Sequence, residues 1–188
     1  MESTRRERDP YNPHTEENKV LTGMFRDRES TQKAYDSLIE KGYTKDEINL
    51  IMSDQTREKY YSDRNFAEKT EVGTKAADHA GKGSAIGGTI GAVAGVIAAL
   101  GTSVLIPGLG ILVAGPLAAG LAGAGAGGIA GGLIGAMIGA GIPEARAKLY
   151  DSGIKEGNVV IMVAPKDEAD AIYLQDKWKA NKGEEIYY

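Results

Sequence analysis

Residues 83–101 read GSAIGGTIGAVAGVIAALG and residues 115–142 read GPLAAGLAGAGAGGIAGGLIGAMIGAGI. Small residues recur there every four positions, at Gly83, Gly87, Gly91 and Gly95, then at Gly115, Ala119, Gly123, Gly127, Gly131, Gly135 and Gly139. A period of four lays them along one slowly winding stripe of an α-helix, where the missing side chains let a second helix come close. No charged residue occurs from Gly83 to Pro143, and 19 of the chain's 26 glycines fall between Gly83 and Gly141. The pattern is that of a glycine zipper. It predicts two helices over residues 83–106 and 116–142, folded into a hairpin by a turn at Pro107, Gly108, Leu109 and Gly110.

Each arm is more than 20 residues long, and at about 1.5 Å per residue either reaches across a hydrocarbon core of roughly 30 Å. Glycine costs a helix about 1 kcal/mol relative to alanine, so Gly83, Gly87, Gly88, Gly91 and Gly95 together remove roughly 5 kcal/mol from the first arm in water. Such helices need a partner. In the first arm Ile86, Ile90, Val93, Ile97 and Leu100 lie roughly opposite the glycine stripe, an apolar surface larger than a soluble monomer ordinarily exposes. Lipid, other copies of the chain, or the protein's own sheet are the covers the sequence offers. Lys75, Lys82, Arg146 and Lys148 flank the run on the side of the folded domain, which the positive-inside rule places in the cytoplasm. Against lipid, the run has no aromatic anchor, and glycine and alanine insert weakly.

Outward from the zipper, the flanks are ordinary and hold all 22 basic and 26 acidic residues. Residues 1–18 are polar, carry Arg5, Arg6 and Arg8, and lack the apolar core of a secretory signal, so they read as a disordered tail. Residues 19–53 read as β-α-β. A strand over residues 20–25 is followed by a helix that Asp27 caps, with Ser30 three residues on and Ala34, Tyr35, Leu38 and Ile39 on one face. Gly42 closes this helix, and a strand over residues 48–53 alternates Ile48, Leu50 and Met52 with Asn49, Ile51 and Ser53. Residues 54–82 form a polar connector with one helical stretch over residues 56–66. Residues 143–188 supply a second set of elements. Pro143 opens a helix that Gly153 and Gly157 stop, the β-branched run of residues 159–164 is a buried strand, and Pro165 with Asp167 opens a helix with Ala171, Leu174 and Trp178 on one face. Gly183 ends that helix ahead of a strand over residues 185–188. Two β-α-β halves predict an α+β, ferredoxin-like βαββαβ sandwich, with both helices on one face of a four-stranded antiparallel sheet and the zipper hairpin of residues 83–142 inserted between strands two and three. In this reading the sheet has a core of its own and does not need the hairpin.

The formal net charge of −4 leaves no basic surplus to displace counterions from phosphates, which argues against nucleic acid as a partner. There is no cysteine, hence no disulfide, thiol nucleophile or Cys-based metal site, as suits a cytoplasmic protein. Gly123, Gly125 and Gly128 match a dinucleotide fingerprint with no strand before it, and Gly81-Lys82-Gly83-Ser84 resembles the end of a phosphate loop with Ala76 in place of its first glycine. Neither is a working motif. His14 and His79, the two histidines, sit in the tail and the connector and assemble no dyad or metal pair. Asp54, Arg57, Glu58, Tyr60 and Tyr61 form a polar, aromatic cluster that reads most simply as a solvated helix start, and Trp178 and Tyr187 as packing residues. No catalytic residue, cofactor or metal is called for.

The segments Val20-Leu21-Thr22-Gly23-Met24-Phe25, Met52-Ser53-Asp54-Gln55-Thr56-Arg57, Ile106-Pro107-Gly108-Leu109-Gly110, Ala114-Gly115-Pro116-Leu117-Ala118 and Gly141-Ile142-Pro143-Glu144, with Tyr150 and Gly157-Asn158-Val159, resemble bacterial general stress proteins of the heat-induced YflT-like type. The resemblance covers residues 20–163 and implies a stress-induced, non-enzymatic bacterial protein with no catalytic residues to carry over. Joined to the zipper, it gives the expected function: a stress-response protein whose hairpin associates with its own copies, with the cytoplasmic side of a lipid bilayer, or both. The alternative is a soluble oligomeric sensor that binds a small ligand on its ferredoxin-like half.

Overall fold

The computed structural model describes residues 19–61, 104–106, 110–118 and 125–188. They form a mixed α+β structure around one antiparallel sheet. The first strand, β1 (Leu21–Phe25), leads into α1 (Arg28–Glu40). Asp27 caps that helix as its spacing to Ser30 predicts, its carboxylate accepting from the Ser30 N–H at 2.8 Å. A 3₁₀ turn at Lys45–Glu47 precedes β2 (Ile48–Ser53), and α2 (Asp54–Tyr61) follows without a break. Then come β3 (Val104–Ile106), β4 (Ile111–Ala114), α3 (Gly125–Gly139), α4 (Glu144–Lys155), β5 (Val159–Val163), α5 (Glu168–Ala180) and β6 (Glu184–Tyr187). The strand order is β3-β4-β2-β5-β1-β6, and every neighbouring pair is antiparallel.

Alternation along the central strands supplies two cores, one on each face of the sheet. Val159, Ile161 and Val163 of β5 join Ile48, Leu50 and Met52 of β2 beneath α1 and α5, which contribute Ala34, Tyr35, Leu38, Leu174 and Trp178. Ile39, at first sight part of that helical face, is 45% exposed. The fully buried Trp178 donates from Nε1 to the Ala34 carbonyl at 3.2 Å and meets Phe25 edge-on at 5.6 Å. Its ring lies over Gly23, where an added Cβ would stand 2.7 Å from Trp178 Cε3. Glycine occupies this point of β1 because the indole takes the room of a side chain.

On the opposite face Val160, Met162, Ile51 and Met24 pack with Ile111 and Val113 of β4, Leu133 and Met137 of α3, and Ala147, Tyr150 and Ile154 of α4. Three polar ties cross this layer. The Tyr150 hydroxyl donates to the Glu185 carbonyl at 2.6 Å and shares a 2.7 Å hydrogen bond with Thr22 Oγ1. Asn49 is buried in β2. Its amide donates to the Met162 carbonyl, and its oxygen accepts from the Leu117 N–H at 2.7 Å. Thr56, at the start of α2, donates to the Gly157 carbonyl.

The expected helical hairpin of residues 83–142 is corrected on three points. Val104–Ile106 and Ile111–Ala114 are strands that pair with each other and extend the sheet beyond β2. The chain does reverse between them, but it joins strands. Gly110 has φ +61, and its carbonyl accepts from the Asp54 N–H at 2.7 Å, while Pro107 and Gly108 lie outside the described residues. The physical reason is that Val104, Ile106, Ile111 and Val113 are β-branched and alternate with Leu105 and Leu112, a pattern that suits a pleated ladder. The second arm is also not one uninterrupted helix: α3 spans 15 residues, with a non-helical break at Gly132. Third, the insertion is not separate from the sheet's core, since Ile111, Val113, Ala118, Leu133 and Met137 are buried against Ile51, Val160 and Met162. Beyond the hairpin, Gly153 does not stop its helix. It lies inside α4 under Met24, and the turn comes at Gly157, with φ +100. The helical stretch of the connector begins two residues early, at Asp54; residues 62–66 lie outside the described residues.

Candidate functional site

The second half of α3 meets the molecule along one edge. Leu133 and Met137, four residues apart, are buried, and so share the inward face. Past the end of the helix the Ile142 N–H returns to the Met137 carbonyl at 3.0 Å, Gly141 takes φ +94, and Ile142 is buried beneath. This is the glycine-closed stop that drives an apolar residue back into the core. The opposite edge of α3 presents Gly135, Ile138 and Gly139, all exposed, with Ile138 at 43%. A Cβ built on Gly135 or on Gly139 meets nothing within 4 Å among the described residues.

The zipper positions therefore separate. Gly127, Gly131, Gly135 and Gly139 lie in α3, with the break at Gly132 falling between the first two and the last two. Gly83, Gly87, Gly91, Gly95 and Gly123 lie outside the described residues. Gly115 is not a helix-packing position. It sits at φ +99 in the bend after β4, and a Cβ there would fall on the Ile48 carbonyl oxygen. It is a glycine because the backbone of β2 passes that close, and the four-residue spacing that placed it on the stripe is coincidental.

The polar cluster after β2 is an ordinary helix start. Arg57 pairs with Asp54 at 2.8 Å, Thr56 is buried, and Tyr61 packs against the first core. A second cluster, which the sequence did not single out, ties the C-terminal end of α1 to the N-terminal turn of α5. Asp170 accepts from the Tyr43 hydroxyl at 3.0 Å and pairs with Lys41 at 2.9 Å, while the Lys166 N–H donates to the same tyrosine oxygen at 2.8 Å. The Lys41 ammonium, then the Tyr43 hydroxyl, hold the Asp170 carboxyl below its ordinary value, and burial pushes the Tyr43 phenol up to about 12. These groups saturate one another and form a clasp between helices.

A shallow cleft of about 330 Å³ opens between the start of β1, the turn after α3 and the end of β6, lined by Lys19, Val20, Gly139, Ala140, Gly141, Tyr187 and Tyr188. Cations already sit over its tyrosine rings, Lys19 over Tyr188 at 5.5 Å and Arg146 over Tyr187 at 5.6 Å. Its walls come from three distant parts of the chain, so no local motif announces it. Among the described residues no group of three or more His, Asp or Glu side chains is placed to hold a metal ion, and no helix is long and apolar enough to cross a membrane. His14 and His79 lie outside the described residues.

No family model, curated protein or solved structure matches the chain. The outer face of the second half of α3 is accordingly the candidate site on physical grounds: it is uncharged, built on a helical piece fixed by its other edge, and bears no side chain at Gly135 and Gly139, on either side of the exposed Ile138.

Proposed function

We propose that the protein is a non-enzymatic stress-response component that joins copies of itself through the glycine face of α3. One observation carries the reading: Gly135, Ile138 and Gly139 are exposed together on a helix whose opposite edge is locked into the core. Where glycines leave a helix face without side chains, the backbone of a second helix can come close and pack against it. The stress-response part rests on the sequence resemblance to YflT-like general stress proteins. A bilayer covering the same face remains within this reading, supported by the absence of charge from Gly83 to Pro143.

The fold behind this function is read as ferredoxin-like. In support, β6-β1-β5-β2 run antiparallel in the order expected of βαββαβ, and α1 and α5 share one face. The segment holding β3, β4 and α3 is then an insertion between the second and third strands, adding to the edge of the sheet and covering its other face.

Gly135→Leu and Gly139→Leu test the assembly. Both sites are open, so leucine, a better helix former, leaves the monomer folded while its bulk holds a neighbouring helix away. Light scattering after size exclusion should find the wild type assembled and association in the double variant weakened by at least roughly tenfold. Unchanged far-UV circular dichroism verifies the fold. A wild type that stays monomeric at every concentration and does not sediment with lipid vesicles overturns the proposal; sedimentation with vesicles alone assigns the face to the bilayer.

A further inference from the structure

Within α3 the backbone of Gly132 stands at φ +57 and ψ −161, so residues 125–131 and 133–139 are two helical pieces set at an angle. That conformation is closed to L-residues with a Cβ and is the mirror image of the polyproline region, which they favour. A helix that begins afresh after Gly132 exposes about four N–H groups needing acceptors, which side-chain caps usually supply. None can come from residues near in sequence: between Ser103 and Glu144 no side chain carries an oxygen or nitrogen. The second piece is fixed to the core through Leu133 and Met137, so a change of backbone at Gly132 moves the first piece relative to it.

We propose that α3 is a two-state hinge about Gly132, bent as described here and straight in a second conformer. Straightening returns the new N–H groups to the carbonyls of residues 128–131 and makes one helix of about 22 Å. It also changes what the surface offers. Gly127, Gly131, Gly135 and Gly139 form a single stripe only on a continuous helix, because the break rotates the first pair away from the second. The bent conformer therefore divides the stripe and the straight one completes it. This last step rests on the assembly reading above; the hinge itself does not.

The test uses spin labels on Ala126→Cys and Ser152→Cys in the full chain, which has no native cysteine. Pulsed electron-electron distance measurement should give two separated populations in the wild type, whereas a single narrow population overturns the hinge. Gly132→Ala closes the bent conformation and favours the helical one, and should raise the ratio of straight to bent by about tenfold or more. D-Alanine at the same position, introduced by peptide ligation, should leave only the bent population. Gly131→Ala raises helix propensity without touching the break, and should leave the ratio near the wild-type value. Equal distributions in the L- and D-alanine proteins also overturn the hinge. If Gly132→Ala shifts the distances but leaves the association constant unchanged, the hinge stands and the assembly reading fails.

Discussion

At the scale of single residues, Asp170 carries more than its place in α5 suggests. Lys41 and Tyr43 both engage its carboxylate, and through them it fastens α1 to α5 over the first core. Its pKa is held below the ordinary value near 3.9, to which it returns on unfolding. A depressed carboxylate pKa stabilises the fold fully above the unfolded value, and that contribution disappears as the pH falls through the folded one. Asp27, whose carboxylate accepts from the Ser30 N–H at the start of α1, is shifted the same way. The midpoint of thermal unfolding should therefore fall as the pH drops below about 4. Asp170→Asn should lower the midpoint at neutral pH and soften the acid decline, measured by circular dichroism from pH 7 to pH 2.5. An unchanged acid limb in the variant would assign the decline to other carboxylates.

At the scale of elements, legibility follows local chemistry. The helices α1 and α5 were readable because Asp27 and Asp167 stand three residues before Ser30 and Asp170, whose N–H groups they cap, and because the buried residues Ala171, Leu174 and Trp178 keep helical spacing. The strand β5 was readable as a near-continuous β-branched run, broken only at Met162. The strands β3 and β4 were not, because an uncharged segment dominated by a period of four invites a helical reading throughout. The signal against it was present: the stripe lapses between Gly95 and Gly115, where Val104, Ile106, Ile111 and Val113 alternate with leucines. Within the candidate site Gly135 and Gly139 were legible as small residues four apart on one helix, and both stand open, with nothing within 4 Å of a Cβ among the described residues, whereas the role of Gly115 depends on the passage of β2, a tertiary fact. Gly115→Ala should consequently detach β4 from β2, costing at least about 3 kcal/mol, since it combines a left-handed φ with a clash against backbone. Chemical denaturation would measure the loss, and native stability in this variant would refute the close approach.

At the scale of the whole molecule the sheet is covered on both faces, and the glycine-rich segment is part of that cover. Ile51, Val160 and Met162 have α3, α4 and β4 as their shelter from water. A protein lacking residues 104–139, its ends bridged by a glycine-serine linker, should lose cooperative thermal unfolding or precipitate, because an apolar sheet face of that kind is not tolerated in solution. A sharp transition in that protein would return the segment to the status of an appendage. The strand order carries a further consequence, in time. The strand β1, one in from the edge, pairs only with β5 and β6 among the described residues, Leu21 opposite Val163 and Thr22 opposite both Met162 and Tyr187. On a ribosome delivering about 5–20 residues per second, the first strand made must wait many seconds for its neighbours. In the later part of that wait the uncharged stretch from Gly83 to Pro143 is made with no finished sheet to lie on, so the nascent chain is the form of this protein most in need of a chaperone.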